Sequence, residues 1–298
     1  MDEIVKMEHV YQYNEMMGQE TLHPLVSVID FSKCPKARHA RRMYGFYCVF
    51  LKDVKCGDMR YGRHYYDYQE GTLVFIAPGQ VVGIEDNGEV FQPKGWALLF
   101  HPDLIRGTSL GRSMDEYTFF SYEANEALHL SEQERLVVLE CLQNITGELN
   151  HAIDKHSRRL IVSNIELLLN YSIRFYERQF ITRENKNKTV LEELETLLDD
   201  YIASGRLQGA LLPTSEYCAT GLGLSVPYFN DLLKFETGKT LDEYFQLRRL
   251  ETAKRMLLKA ENTPAVVARR LGYTSVQYFS LLFKKITGIA PNEYRYSN

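Results

Sequence analysis

Covalent or metal chemistry would have to come from a few side chains, and their spacing argues against it. The five cysteines, Cys34, Cys48, Cys56, Cys141 and Cys218, are odd in number and scattered. No two stand at the C-x-x-C spacing of a zinc or thiol-redox site. Cys34 is isolated and followed by Pro35, without neighbouring thiolates or an activating histidine. Cys141 and Cys218 fall in helical patterns, where they read as small apolar residues. The chemistry that does recur is recognition chemistry. Pro227, Asn230 and Asp231 stand 50 residues before Gln277, Ser280 and Leu281, and each pair differs in what it can donate or accept.

Those pairs belong to an internal repeat. SVPYFNDLLKFETG (225–238) returns as SVQYFSLLFKKITG (275–288), and ten of twenty positions from 225–244 to 275–294 are identical. Chance would give roughly one. Each copy has helix grammar: Ser225 and Ser275 as N-caps, Pro227 in a first turn, Gly238 and Gly288 as left-handed terminators. A shorter helix precedes each copy, over 215–220 before Gly221 and Gly223, and over 264–271 before Gly272, with Thr263 as cap and Pro264 at N1. Short helix, tight turn, longer helix, twice over, predicts a tandem helix-turn-helix.

The repeat also predicts faces. Tyr228/Tyr278, Phe229/Phe279 and Leu232/Leu282 agree between copies and are expected to form a buried stripe. Positions 227, 230, 231 and 234 share the opposite face. A shared scaffold with diverged outer faces suits two recognition helices reading different base pairs, and free drift of exposed faces gives the same pattern. A helix over 240–258 joins the copies and spans about 28 Å, against about 34 Å between successive major-groove faces of B-DNA. Its basic residues Arg248, Arg249, Lys254 and Arg255 divide between phosphate-facing roles and pairing with Glu251 or neighbouring acids.

Ahead of these helices the period is different. Segments 46–51, 60–66, 72–77, 96–101 and 117–122 are short and aromatic or β-branched, and turns at Pro78-Gly79, Asn87-Gly88 and 93–95 separate several of them. They predict a sandwich or small barrel. Ser131 with Glu134 three residues on has capping-box spacing and opens a helix to about Gly147. A second helix over 156–180 carries Ile161, Ile165, Leu168, Ile173, Tyr176 and Phe180 at helical spacing. This stripe either packs on the barrel or, with Leu167 and Leu169 beside it, forms a homodimer seam. Residues 182–188 are polar throughout and read as a linker. The expected domains are therefore 1–181 and 189–298, a two-domain α+β protein.

Composition narrows the classes further. The chain has 298 residues, 45% hydrophobic and 25% charged, which suits globular structure and not disorder. No apolar run approaches the ~20 residues of a membrane span, and the acidic start Met1–Lys6 does not read as a secretory signal. A reduced, cytoplasmic protein is the expectation. The net charge of −4 hides an asymmetry: residues 213–298 carry twelve basic against eight acidic groups, and residues 1–212 carry 23 against 31. A basic end on an acidic body suggests an anionic partner for that end.

The C-terminal segment resembles the DNA-binding domain of the AraC/XylS family of bacterial transcription regulators. The resemblance rests on 212–219, 223–229, 236–238, 249–255, 266–273, 278–288 and 291–295, and covers about 110 residues from 189 on. It implies two helix-turn-helix units on double-stranded DNA, with Pro227, Asn230, Asp231, Gln277, Ser280 and Leu281 facing bases. Ser225, Lys234, Ser275, Lys284 and Lys285 would meet phosphates. Gln and Asn can read adenine bidentately, whereas Asp accepts only from cytosine. The chain departs from the family where a basic residue often stands, at Asp231 and Leu281. The front segment 71–79 (GTLVFIAPG) looks like the strand and turn of a cupin barrel, which in such regulators binds a small effector or dimerises. RNA polymerase is a further partner that the resemblance implies.

Metal cupins present a His-x-His pair and a later histidine. Here His64 is followed by Tyr65 and Tyr66, and Val81, Val82 and Gly83 hold the later positions. No metal or other cofactor is therefore expected, and no enzymatic activity; a cupin-type enzyme carrying a DNA-binding tail is the alternative. Tyr47, His64, Tyr66, Phe75, Trp96 and His101 either line an effector pocket or fill the core and rim of the barrel.

Overall fold

A computed structural model describes residues 4–52, 71–83, 89–209, 211–259 and 261–296. The chain divides into two compact units, 1–182 and 183–298.

In the first unit the strands are β1 (Val5–Met7), β2 (Val26–Asp30), β3 (Ala37–Arg38), β4 (Arg42–Tyr44), β5 (Tyr47–Lys52), β6 (Thr72–Ile76), β7 (Val81–Val82), β8 (Val90–Phe91), β9 (Gly95–Phe100) and β10 (Leu128–His129). The helices are α1 (Val10–Met16), α2 (Pro102–Ile105), α3 (Ser109–Ser113), α4 (Glu132–Leu149) and α5 (Ser157–Thr182). Five strands form one antiparallel sheet in the order β10-β6-β5-β9-β2. Val49 at its centre pairs with Phe75 on one side and Leu98 on the other.

Both faces of this sheet are covered. Val26, Val49, Leu51, Leu73, Phe75, Leu98 and Phe100 pack with residues of α4 and α5. Ile29, Cys48, Val74, Ile76, Ala97 and Leu99 pack with α1, β1 and β4. Double coverage explains why β6 reads as a continuous apolar run and is buried throughout. Among the described residues the sheet is open, with β10 and β2 at its edges, rather than closed into the expected cupin-like barrel. The expected strand at 60–66 lies outside the described residues.

The segment 117–122 is not a strand. Thr118–Ser121 is a 3-10 turn, and the reason lies in its two phenylalanines. Phe119 and Phe120 both pack on Phe75, with ring centroids 4.3 and 5.4 Å away. A strand would send neighbouring side chains to opposite faces.

The capping box of α4 is present: Glu134 N–H donates to Ser131 Oγ at 3.3 Å and Ser131 N–H to Glu134 Oε2 at 2.8 Å. Arg178 of α5 also grips Glu134, with Nη2 2.6 Å from Oε2 and Nε 3.0 Å from Oε1. Burial pushes the Glu134 carboxyl upward, but the Arg178 and Ser131 hydrogen bonds outweigh it and leave the group below its ordinary value.

The elements of the second unit among the described residues are helices: α6 (Glu184–Ala203), α7 (Ser215–Leu222), α8 (Val226–Thr237), α9 (Leu241–Leu257), α10 (Pro264–Arg270), α11 (Val276–Thr287) and α12 (Pro291–Tyr294). The polar stretch 182–188, expected as a linker, is helical from Glu184 on. Lys, Glu and Asn at these positions tolerate a solvated helix turn, and Asn187 is fixed by donating from Nδ2 to Glu236 Oε1 at 2.7 Å. Two apolar cores lie side by side along α9. Phe245 and Leu241 of its first half join α6, α7 and α8, whereas Leu250, Ala253 and Leu257 of its second half join α10 and α11. None of the described helices is long and apolar enough to cross a membrane.

Candidate nucleic-acid interface

Both hairpins are built by the same caps. Thr214 Oγ1 accepts from Tyr217 N–H at 3.1 Å to start α7, and Gly223 ends it at φ +66°. Thr263 Oγ1 accepts from Val266 N–H at 3.3 Å to start α10. The longer helices α8 and α11 start on Ser225 and Ser275, whose Oγ atoms accept from Tyr228 and Tyr278 N–H. They end on Gly238 and Gly288, both with positive φ.

On α8 the expected stripe of Tyr228, Phe229 and Leu232 is buried, and Leu233 joins it. On α11 Phe279 is buried as expected and Leu282 is partly buried against the core, but Phe283 rather than Tyr278 completes the inward face. Identity between copies missed 233/283, where Leu and Phe do the same work with different volumes. Tyr228 is 6% exposed but Tyr278 is 51% exposed, although it still lies 6.4 Å from the Tyr273 ring. At about 100° per residue, position 278 sits a quarter-turn from Phe279.

Opposite Phe279 and Phe283, the outer face of α11 carries Gln277, Ser280, Leu281 and Lys284, with Lys285 at its margin. Gln277, Leu281, Lys284 and Lys285 are exposed and Ser280 is half-buried. The corresponding face of α8 carries Pro227, Asn230, Asp231 and Lys234. Asn230 and Lys234 are exposed there, whereas Pro227 and Asp231 are half-buried. Asn230 is held in place: Ser215 Oγ at the start of α7 donates to its Oδ1 at 2.9 Å. Nothing in the repeat pointed to Ser215, because its counterpart Ala265 has no hydroxyl.

Charge separates the two hairpins more sharply than the sequence halves did. Residues 213–238 hold one basic and three acidic groups, while 264–298 hold five basic and one acidic. Arg269, Arg270, Lys284 and Lys285 are all exposed.

All four basic residues on α9 have partners within the protein. Arg248 Nη2 lies 2.8 Å from Asp199 Oδ2, and its Nη1 lies 3.3 Å from Glu195 Oε2 on α6. The hydroxyl of Tyr244 donates to Glu195 Oε1 at 2.9 Å, and burial followed by that carboxylate pushes its pKa up to about 12. Lys254 Nζ lies 2.6 Å from Glu251 Oε1. Arg249 is buried: Nη1 donates to Leu271 O at 3.1 Å and its guanidinium lies 4.4 Å from the Tyr273 ring centroid. Arg255 alone of the four is exposed, donating to Thr252 Oγ1 at 3.1 Å.

In the first unit, Tyr47 and Phe75 meet in an aromatic cluster around Phe120, with ring centroids 5.0 and 5.4 Å from it. Trp96 packs against the same core. His101 instead begins α2, its Nδ1 accepting from Asp103 N–H at 3.2 Å. His64 and Tyr66 lie outside the described residues. No group of three or more His, Cys, Asp or Glu that could hold a metal occurs among the described residues. Burial raises Cys141 and Cys218 to a pKa of about 11, which suits inert core thiols.

Two capped hairpins of short and long helix, joined by α9, make the second unit a tandem helix-turn-helix domain. Residues 218–297 match the protein family described as Helix-turn-helix domain. The chain is similar to the uncharacterized HTH-type transcriptional regulator YobQ of Bacillus subtilis, 40% identical over 68 residues, 23% of this chain and 28% of that protein. It is similar over a longer stretch to the HTH-type transcriptional activator RhaR of Mannheimia succiniciproducens, 28% identical over 225 residues, covering 74% and 76% of the two chains. The C-terminal domain of AraT, a response regulator from Geobacillus stearothermophilus, matches 35% of this chain and 85% of its own, at 32% identity and a TM-score of 0.29. The matched region thus spans about a quarter of YobQ and three-quarters of RhaR.

Proposed function

We propose that this chain is a cytoplasmic transcription regulator of the AraC/XylS type, which binds specific sites on double-stranded DNA and carries out no enzymatic reaction. The observation that carries this reading is the pair of capped hairpins on one connecting helix, the second with an outward face of Gln277, Ser280, Leu281 and Lys284. Named regulators among the relatives support it. The connector α9 has 17 residues and spans about 25 Å, compatible with placing α8 and α11 in successive groove segments. The exposed lysines and arginines of 264–298 supply the larger part of phosphate attraction, and α8 reads bases through Asn230 with Asp231 beside it. Selection from random duplexes with the full chain tests this: enrichment of a two-part site supports it, and no enrichment overturns it.

On the selected site, Lys284→Ala is expected to weaken binding evenly across sequences and lower the salt slope by about one. Gln277→Ala is expected to relax preference at one base pair, a loss of about 1–3 kcal/mol against the correct base only. Equal losses on all sequences from both changes would refute this division of roles.

The first unit serves regulation, by binding a small effector beside the aromatic cluster, by dimerising, or both; RNA polymerase is the partner of a bound activator. For the dimer we assign α5, whose Leu160 and Leu167 are 48% and 45% exposed one heptad apart. Leu169 and the stripe residues Ile161, Ile165, Leu168 and Tyr176, for which a seam was the alternative to packing on the sheet, are buried in the unit's own core. Leu167→Glu is expected to shift sedimentation from dimer to monomer without lowering the melting temperature of the unit. An effector, if bound, must raise that temperature.

A further inference from the structure

We infer that Leu281 is the residue through which the second hairpin recognises thymine, by contact with its C5-methyl group; this rests on the DNA-binding reading above. Leu281 is 71% exposed, the most exposed leucine among the described residues. It lies opposite the buried Phe279 and Phe283, so core packing does not use it. A leucine left bare on an ordinary helix face would be unremarkable. This one stands on the outer face of the longer helix of a helix-turn-helix, four residues after Gln277 and three or four before Lys284 and Lys285.

The three chemistries along this line are complementary to one ligand surface. The lysines match a polyanion, Gln277 can pair with adenine N6 and N7, and an aliphatic side chain finds only one apolar group on the major-groove floor, the thymine methyl. The alternatives fit less well. A protein partner would have to accept Leu281, with the half-exposed Tyr278 three residues before it, among Lys284, Lys285, Gln277 and Ser280. Charge in this hairpin favours DNA, five basic groups against one acidic over 264–298. The equivalent position in the first hairpin is Asp231, which has no apolar surface to offer, so the methyl contact is specific to the second half of the site.

Spacing makes the inference quantitative. Four helical residues advance about 6 Å, or roughly two base steps at 3.4 Å each. The second half-site should therefore hold an adenine read by Gln277 and a thymine within about two base pairs of it.

The test uses the full chain and the duplex obtained by selection. Each thymine of the site is replaced singly by deoxyuridine, which removes the methyl and keeps base pairing. One position is expected to weaken wild-type binding about three- to fivefold and to leave Leu281→Ala unaffected. Gln277→Ala should keep the deoxyuridine penalty, because it reads another base. Leu281 is exposed, so its truncation leaves the fold intact. If no deoxyuridine penalty disappears in Leu281→Ala, the methyl contact is wrong while sequence-specific binding stands. If selection enriches no site, the DNA-binding reading itself fails and this inference with it.

Discussion

Gly272→Ala is expected to destabilise the second hairpin by about 2–5 kcal/mol, whereas Gly223→Ala at the matching turn of the first hairpin should cost only about 1–2 kcal/mol. Both glycines adopt left-handed backbone, at φ +72° and +66°. An alanine strains that conformation equally at the two sites, so the difference must come from space. A Cβ on Gly272 would meet the Leu207 carbonyl oxygen at 2.6 Å and Leu207 Cβ at 3.1 Å, whereas a Cβ on Gly223 would meet nothing within 4 Å. Leu207 belongs to a 3-10 turn over 206–209 and is fully buried. The clash is with backbone, which no rotamer change relieves. The single tryptophan, Trp96, lies in the first unit, so its fluorescence would miss the effect. Hydrogen exchange of α10 and α11 amides reads it directly. Equal protection losses for the two variants would mean that Leu207 does not crowd the turn. DNA binding should follow the same order, since displaced α11 no longer presents Gln277.

What the sequence made legible is the part of the fold written in local rules. The caps Ser225, Ser275, Thr263 and Ser131, the glycine terminators and the 50-residue repeat specify helices whatever surrounds them. Strands β5, β6 and β9 were legible from β-branched and aromatic runs. The misses are all positions where neighbours from elsewhere in the chain decide. Thr118–Ser121 abandons strand geometry to put Phe119 and Phe120 on Phe75. An open sheet and a closed barrel share the same alternation, and only strand order separates them. On the candidate interface, the outward face of α11 followed from periodicity, but the hold of Ser215 on Asn230 is a contact across 15 residues. Basic residues on α9 were indistinguishable by type. Only packing shows that Arg248 binds α6 acids and that Arg249 is buried.

That burial carries the last expectation: Arg249→Ala should cost about 3 kcal/mol and reduce DNA affinity without changing its salt slope. Arg249 is 8% exposed and sits where the two cores meet on α9. Its guanidinium lies 5.5 Å from the Phe245 ring centroid in the first core and 4.4 Å from Tyr273 in the second. A desolvated cation–π contact is worth about 2 kcal/mol. The Nη1 donation to Leu271 O satisfies a carbonyl at the end of α10, just before the turn at Gly272, and charged hydrogen bonds of this kind add about 1.5–3 kcal/mol. Part of this gain is offset by the cost of burying the charge, and Nε has no hydrogen-bond partner among the described residues. Arg249→Lys should recover little, because an ammonium has no planar face to lie along both rings. The salt slope separates this role from phosphate binding. A residue that neutralises a phosphate contributes to counterion release, so its loss flattens the slope. Arg249 touches only protein, and its loss acts by loosening the seat of α10 and α11. Measuring affinity from low to high salt for Arg249→Ala and Lys284→Ala together decides the matter. Parallel lines for wild type and Arg249→Ala, with a shallower one for Lys284→Ala, are expected. A shallower line for Arg249→Ala would place its guanidinium on the DNA backbone instead.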